Sequence, residues 1–280
     1  MVSFLPILFP SRKRSGVVPV SCNYFPHRQN LDILPIDEAK QALTLLHAAG
    51  MKKLNISGGE PFLQPEFIGE IFRFCKEELK LESTSVVNNG SKVTERWLDQ
   101  YGQYLDIMAI SCDSFDPEAN ILIGRSDNGT GHHISRVFKV AQWCHERGIR
   151  LKINTVVNTH NWQEDMSYAI EELNPFRWKV FQVLLLDGEN TGSESGSLRD
   201  ARAMVISNDQ FKSFLDRHSR LDCLNMCFLD SRGGVKKPGR SVLKVGVHEA
   251  LKDAGFDEAA FVKRGGIFDW GGKKKTTLDW

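Results

Sequence analysis

From residue 36 to residue 186, short strand-like stretches alternate with amphipathic stretches of helical period, and this alternation constrains the chain more than any other feature. Lys53–Ile56 alternates apolar and polar residues and runs into Ser57-Gly58-Gly59-Glu60-Pro61. Phe67, Ile68, Ile71, Phe72, Cys75 and Leu79 then fall on one helical face. Thr84–Val87 is β-branched and stops at Asn88-Asn89-Gly90, and Thr94–Tyr104 is amphipathic. Asp106–Ile110 reads as a strand ending in Ser111-Cys112-Asp113-Ser114. The next helix carries Ile134, Val137, Phe138, Ala141 and Cys144, with Gly148 suited to its C-cap. Leu151–Val157 is a strand, Trp162–Leu173 a helix, and Arg177–Leu186 the longest strand. Upstream, Pro35–Ala49 is helical, with Ile36, Ala39, Leu43 and Leu46 on one face.

Strand, helix and strand in succession imply a parallel sheet with right-handed crossovers. Five strands are legible, and a sixth is expected before residue 35, at Ser21–Gln29. The expected class is α/β, a partial (βα)6 TIM-like barrel with a C-terminal extension; a doubly wound sheet is the alternative. Either fold places a site at the carboxyl ends of the strands. The expected division is a flexible leader at 1–17, the barrel at 18–187, and a linker and C-terminal extension at 188–280. Residues 188–202 read as linker, and helices are expected near 208–218 and 246–254.

A formal net charge of +1 gives no global electrostatic case for nucleic acid or an anionic membrane. Six cysteines in 280 residues do not make a disulfide scaffold and favour a reduced, cytoplasmic setting. The apolar run Val2–Phe9 is interrupted by Pro6 and is far short of the roughly 20 residues a transmembrane span needs. Arg12, Lys13 and Arg14 follow it, the reverse of a secretory signal.

Side-chain parity within the strands carries the functional information. Strands buried on both faces read as nearly continuous apolar runs. Here Lys53, Asn55 and Ser57 share one parity, as do Lys152 and Asn154, and Arg177 and Lys179. If the apolar parity packs on outer helices, the polar parity converges inside a ring of strands. Cations gathered there are costly unless solvated or neutralised, so a polyanion such as a nucleoside triphosphate is the expected ligand. An ordinary half-exposed sheet with lysines in water is the competing reading.

Gly58-Gly59-Glu60 allows close backbone approach to a ligand, or is a plain turn. Asn89-Gly90 carries the same ambiguity, and Ser111 and Asp113 are rim candidates. Cys75 and Cys144 fall on apolar stripes; Cys112 lies beside the rim with no base in view. Cys223 and Cys227 are spaced to share a helix face, with His218 the one further ligand nearby. No Ser-His-Asp, P-loop or His-Glu-x-x-His arrangement stands out.

Taken together, Met51–Leu63, Asn88–Ser91, Leu105–Asp116, Leu122–Arg125, Lys152–Asn158, Asn174–Gln182 and Lys263–Gly266 resemble the viperin family of radical S-adenosylmethionine (SAM) nucleotide dehydratases of antiviral defence. The resemblance implies SAM cleaved reductively by a 4Fe-4S cluster fed by an electron-donor reductase. It implies a deoxyadenosyl radical that takes a ribose hydrogen from CTP, giving 3′-deoxy-3′,4′-didehydro-CTP. By position, Gly58, Gly59 and Glu60 would hold the methionine amine of SAM, and Ser111 and Arg125 its ribose and carboxylate region. Asn23, Lys53, Lys152, Asn154, Lys179 and Arg264 would surround the triphosphate. The resemblance also implies that the C-terminal extension closes the substrate pocket, and that some members sit peripherally on the endoplasmic reticulum or lipid droplets.

Two departures stand out. The family carries a Cys-x3-Cys-x2-Cys cluster loop between its first strand and first long helix, whereas here Asn30-Leu31-Asp32-Ile33 joins directly to Leu34-Pro35. Cys22 precedes the position of the first ligand, so no metal ligand is assigned. A second shortening lies between Cys223 and Gly239. Two discrete gaps in well-matched sequence point to missing exons or a mis-joined gene rather than decay. The alternative is a non-catalytic protein that binds nucleotide, SAM or a partner.

Overall fold

The computed structural model describes residues 34–57, 60–125, 132–185, 190, 200–227 and 241–253. The leader 1–17 and the strand expected at Ser21–Gln29 lie outside these, as do Asn23, Gly58, Gly59 and Arg264.

Helix α1 spans Ile36–Ala48, with Asp37 and Glu38 in its first turn and His47 in its last, matching the helix dipole. Gly50, at φ +95°, then turns the chain into β1, Lys53–Ile56. Helix α2, Pro65–Glu77, starts at a proline and buries Ile68, Ile71, Phe72 and Cys75. Strand β2 is Ser83–Asn88. Helix α3, Glu95–Tyr101, is capped by Thr94, whose Oγ1 accepts from Trp97 N at 3.2 Å. Strand β3 is Ile107–Ser111, and helices α4, Pro117–Ile123, and α5, His132–Glu146, follow. Then come β4, Arg150–Val157, α6, Ser167–Leu173, and β5, Arg177–Gln182. The described chain closes with α7, Asn208–Arg217, β6, Leu224–Cys227, and α8, Val242–Asp253, which is kinked at Gly246 and packs on α1.

The six described strands form one parallel sheet in the order β1-β2-β3-β4-β5-β6. Each strand pairs with the next in sequence, the winding of a TIM-like part-barrel. The ring expected from the sequence is corrected: β1 and β6 are edges, and the described sheet is open. One side of the sheet is the core. Leu54, Ile56, Val86, Met108, Ile110, Leu151, Ile153, Trp178 and Val180 pack there against the buried stripes of the helices. Trp178 is fully buried, with its ring centroid 5.9 Å from Phe214 and 5.0 Å from His218.

Three local expectations need correction. The helix expected over Trp162–Leu173 begins only at Ser167, because residues 158–165 use their side chains to tie down the loop after β4. Strand β5 stops at Gln182, so β4 is the longest of the described strands. Cys223 and Cys227 flank and end strand β6 rather than sharing a helix face, because this segment extends the sheet beside β5. Separately, Asn190 is fully buried; its Nδ2 donates to Leu184 O at 2.9 Å and its carbonyl accepts from Ala201 N.

Candidate functional site

The face of the sheet opposite the core carries the polar parity. Burial in β1 alternates as the sequence requires, Lys53 and Asn55 half-buried and Leu54 and Ile56 buried. Register sorts this face into lateral rows. Ser111 lies beside Asn154, Asn154 beside Lys179, and Lys179 beside Asn225. One row earlier, Ala109 lies beside Lys152 and Lys152 beside Arg177. Like charges opposed on neighbouring strands repel, and Lys152 is only 8% exposed. Asn154 Oδ1 is buried with no hydrogen-bond partner among the described residues. A buried acceptor beside paired cations suits a ligand that donates hydrogen bonds and carries negative charge.

The structure therefore brings Ser111, Lys152, Asn154 and Lys179 together. Lys53 is set apart on β1, three strand spacings or about 14 Å along the sheet from β4. Its neighbour Asn55 accepts from Ser85 Oγ at 2.7 Å.

Glu60 joins the loops after β1 and β2. Its Oε1 accepts from Phe62 N at 3.0 Å and its Oε2 from Asn89 N at 2.8 Å. Burial pushes its pKa above the ordinary carboxylate value, partly offset by the backbone donors of Asn89 and Phe62. Asn88 and Asn89 each close an Asx turn, accepting from Gly90 N and Ser91 N, and Gly90 takes φ +78° there.

Beyond β3 the chain builds a dense polar lattice. Arg125 Nε donates to Asp113 Oδ2, and both side chains are buried. Asp113 Oδ1 accepts from Val156 N at 2.9 Å, and its carbonyl accepts from Asn161 Nδ2 at 2.6 Å. Gly124, at φ +79°, ends α4 and sets up Arg125, whose N–H donates to Asn120 O at 2.8 Å. Glu164 accepts from Ser114 Oγ at 2.6 Å and from Phe115 N at 2.8 Å. Burial raises the Glu164 pKa, partly countered by those donors. Sequence reading marked Asp113 as a rim residue but missed Glu164, Asn158 and Asn161; the available signal was the run of polar residues just past β4.

The thiols are chemically quiet. Burial pushes Cys75, Cys112 and Cys144 up to about 12, so they are protonated at neutral pH. No cluster of three or more His, Cys, Asp or Glu side chains suited to a metal occurs among the described residues. No helix among them is long and apolar enough to cross a membrane.

The sequence model of the Radical SAM superfamily matches residues 20–173. An S-adenosylmethionine-dependent nucleotide dehydratase RSAD2 of Siniperca chuatsi is 47% identical over 283 residues, covering 92% of this chain and 79% of the relative. The Danio rerio RSAD2 is 48% identical, covering 92% and 78%. The chain belongs to the viperin-type nucleotide dehydratases of the radical SAM superfamily. A bacterial S-adenosylmethionine-dependent nucleotide dehydratase, of Flammeovirga pacifica, is 33% identical, covering 85% of this chain and 86% of its own. The 283 aligned positions exceed the 92% of this chain they use, so the fish viperin-type relative carries internal residues that this chain lacks. Among solved structures, native anSMEcpe with bound AdoMet is similar at a TM-score of 0.55 and 17% identity, covering 72% of this chain and 58% of that one. Streptococcus suis SuiB bound to S-adenosylmethionine is similar at 0.52 and 16%, covering 76% and 49%. Both share the radical SAM fold.

Proposed function

We propose that the polar face of β4 and β5 takes CTP, that SAM lies at the carboxyl ends of β1 to β3, and that the chain is a SAM-dependent nucleotide dehydratase forming 3′-deoxy-3′,4′-didehydro-CTP. The observation that carries the reading is the pairing of opposed Lys152 and Arg177 with the adjoining row of Ser111, Asn154 and Lys179. Lys152 and Lys179 would take phosphate oxygens. Asn154 would offer its buried Oδ1 to a hydroxyl donor. Lys53 would reach the triphosphate from the opposite edge of the open sheet, with Asn23 and Arg264 as further contacts.

By position, Ser111 would offer SAM a hydroxyl at the strand end, Arg125 a cation toward its carboxylate, and Glu60 a carboxylate toward its amine, next to Gly58 and Gly59. Cleaved by one electron from a donor reductase, SAM would supply the deoxyadenosyl radical that removes the ribose hydrogen. The 4Fe-4S cluster does not fit: the sequence holds no Cys-x3-Cys-x2-Cys run, and Cys75, Cys112 and Cys144 are buried and protonated. That misfit favours a second reading, in which this chain binds nucleotide and SAM without turning them over. An electron-donor reductase, and a cytoplasmic setting with peripheral contact to the endoplasmic reticulum or lipid droplets, belong to the first reading.

Calorimetry with CTP tests the pocket: Lys152→Ala and Lys179→Ala should each weaken the binding heat, and wild-type affinity retained in both would remove the assignment. Anaerobic reconstitution with iron and sulfide separates the two readings. Cluster absorbance with dehydrated nucleotide as product supports catalysis, and CTP binding without either supports the binder.

A further inference from the structure

We infer that Phe181 is the platform on which the nucleobase stacks, so that the triphosphate points toward the amino ends of β4 and β5 and the base toward their carboxyl ends; this rests on the proposed placement of CTP on these two strands. Strand parity places the ring. Val180 is fully buried on the helix side. Gln182 faces the same way, its Nε2 donating to Ile206 O at 3.0 Å, just before α7. Phe181, between them, shares the parity of Arg177 and Lys179 and so stands on the polar face. It is half-buried, whereas Trp178 and Val180 are closed off.

Register gives this face three successive rows. Lys152 lies beside Arg177, Asn154 beside Lys179, and Val156 beside Phe181. Both strands therefore turn from charged or polar to apolar at the same row. Same-face residues are about 7 Å apart along a strand, so Phe181 stands about 7 Å beyond Lys179 and about 13 Å beyond Arg177. A nucleotide carries the same order: an anionic end, a hydroxylated ribose, and a base with flat apolar faces. Asn154, whose Oδ1 is buried with no partner among the described residues, falls at the middle row, level with the ribose hydroxyls. The reverse orientation would set the base among cations and the phosphates against an aromatic ring. It would also carry the ribose away from the carboxyl ends, where SAM is placed. Stacking on an aromatic face tolerates any base, because every base has a π face. Phe181 thus holds the base without selecting cytosine.

The decisive comparison uses two ligands in calorimetry. CTP carries the base; inorganic tripolyphosphate has the anionic chain alone. Phe181→Ala should weaken CTP binding roughly fivefold to a hundredfold, the range of losing one base–aromatic stack. Tripolyphosphate affinity should stay within about twofold of wild type. Phe181→Leu, which keeps apolar bulk and loses the π face, should weaken CTP as well, and Phe181→Tyr should restore it to within about twofold. That pair carries the test if Phe181→Ala fails to fold, or if tripolyphosphate binds too weakly to read. CTP affinity unchanged in Phe181→Leu, or equal losses for CTP and tripolyphosphate, overturn the inference and leave the proposed function standing. A loss confined to SAM overturns it too, since the ring then serves the adenine of SAM. A wild-type chain that binds neither CTP nor tripolyphosphate overturns both.

Discussion

The two faces of the sheet are made by the same six strands and obey opposite rules. On one, Leu54, Ile56, Met108, Ile153, Trp178 and Val180 disappear against the helices. On the other, Lys53, Lys152, Asn154, Arg177 and Lys179 stand where a doubly covered parallel sheet would carry Val or Ile. The difference teaches where each kind of energy lies. Burial on the first face drives folding. The second face gathers like charges side by side across β4 and β5, a pattern that suits an anionic ligand.

The largest test of this division is truncation on the apolar side. Trp178→Ala removes a fully buried ring together with the Nε1–H that Thr155 Oγ1 accepts at 2.9 Å. Chemical denaturation should show a loss of about 3–5 kcal/mol. By contrast, Lys179→Ala on the polar side should cost less than about 1 kcal/mol of stability, while CTP affinity falls by about tenfold or more. The division fails if Lys179→Ala destabilises as much as the tryptophan change, or if Trp178→Ala melts like wild type.

A second test concerns packing beneath the apolar face. A Cβ added at Gly69 would sit 2.5 Å from the Tyr101 ring. Gly69→Ala should therefore cost about 1–3 kcal/mol by overpacking. The same measurement should leave CTP affinity unchanged, since Gly69 lies on α2, behind the sheet.

The smallest effect expected is pH-linked and also belongs to the core side. His218 is buried against Trp178; its Nε2 accepts from Met166 N at 2.9 Å and its Nδ1 donates to Phe214 O. Burial lowers its pKa from the ordinary 6.5, against an opposing backbone bond to Phe214 and the nearby Asp165 carboxylate. The folded state thus prefers the neutral ring while the unfolded chain protonates first. Its contribution is complete above about pH 6.5 and declines as pH falls below that value, until the folded ring also takes a proton. His218→Gln should flatten that part of the stability–pH curve; an unchanged slope would remove His218 as its source.

A separate check addresses the chain itself. Reverse-transcription PCR across residues 25–38 should yield a product longer than this sequence encodes if the cluster loop was lost in joining exons. A product of matching length sharpens the binder reading.

The repeated strand-and-helix order, the apolar stripe of each helix and the two parities of β1, β4 and β5 could be read directly, because each depends on spacing along a few neighbouring residues. Lys152, Asn154 and Lys179 were legible as site candidates for that reason. Strand β6 was not: four residues containing Asn225 and ending in Cys227 carry too little periodicity to declare a strand, and β5 provides the template. Residues 162–166 look helical locally, yet Asn161 and Glu164 are drawn to Asp113 and Ser114, some fifty positions away.

What the sequence determined alone is therefore the alphabet of elements and which side of each strand is polar. Tertiary structure decided that the described sheet stays open, that Lys152 meets Arg177 while Lys53 stands three strands off, and that Asp113 holds Arg125. The physical reason is range: periodicity and turn chemistry act over a few residues, whereas strand register and buried ion pairs join groups brought together only when the chain closes its long loops.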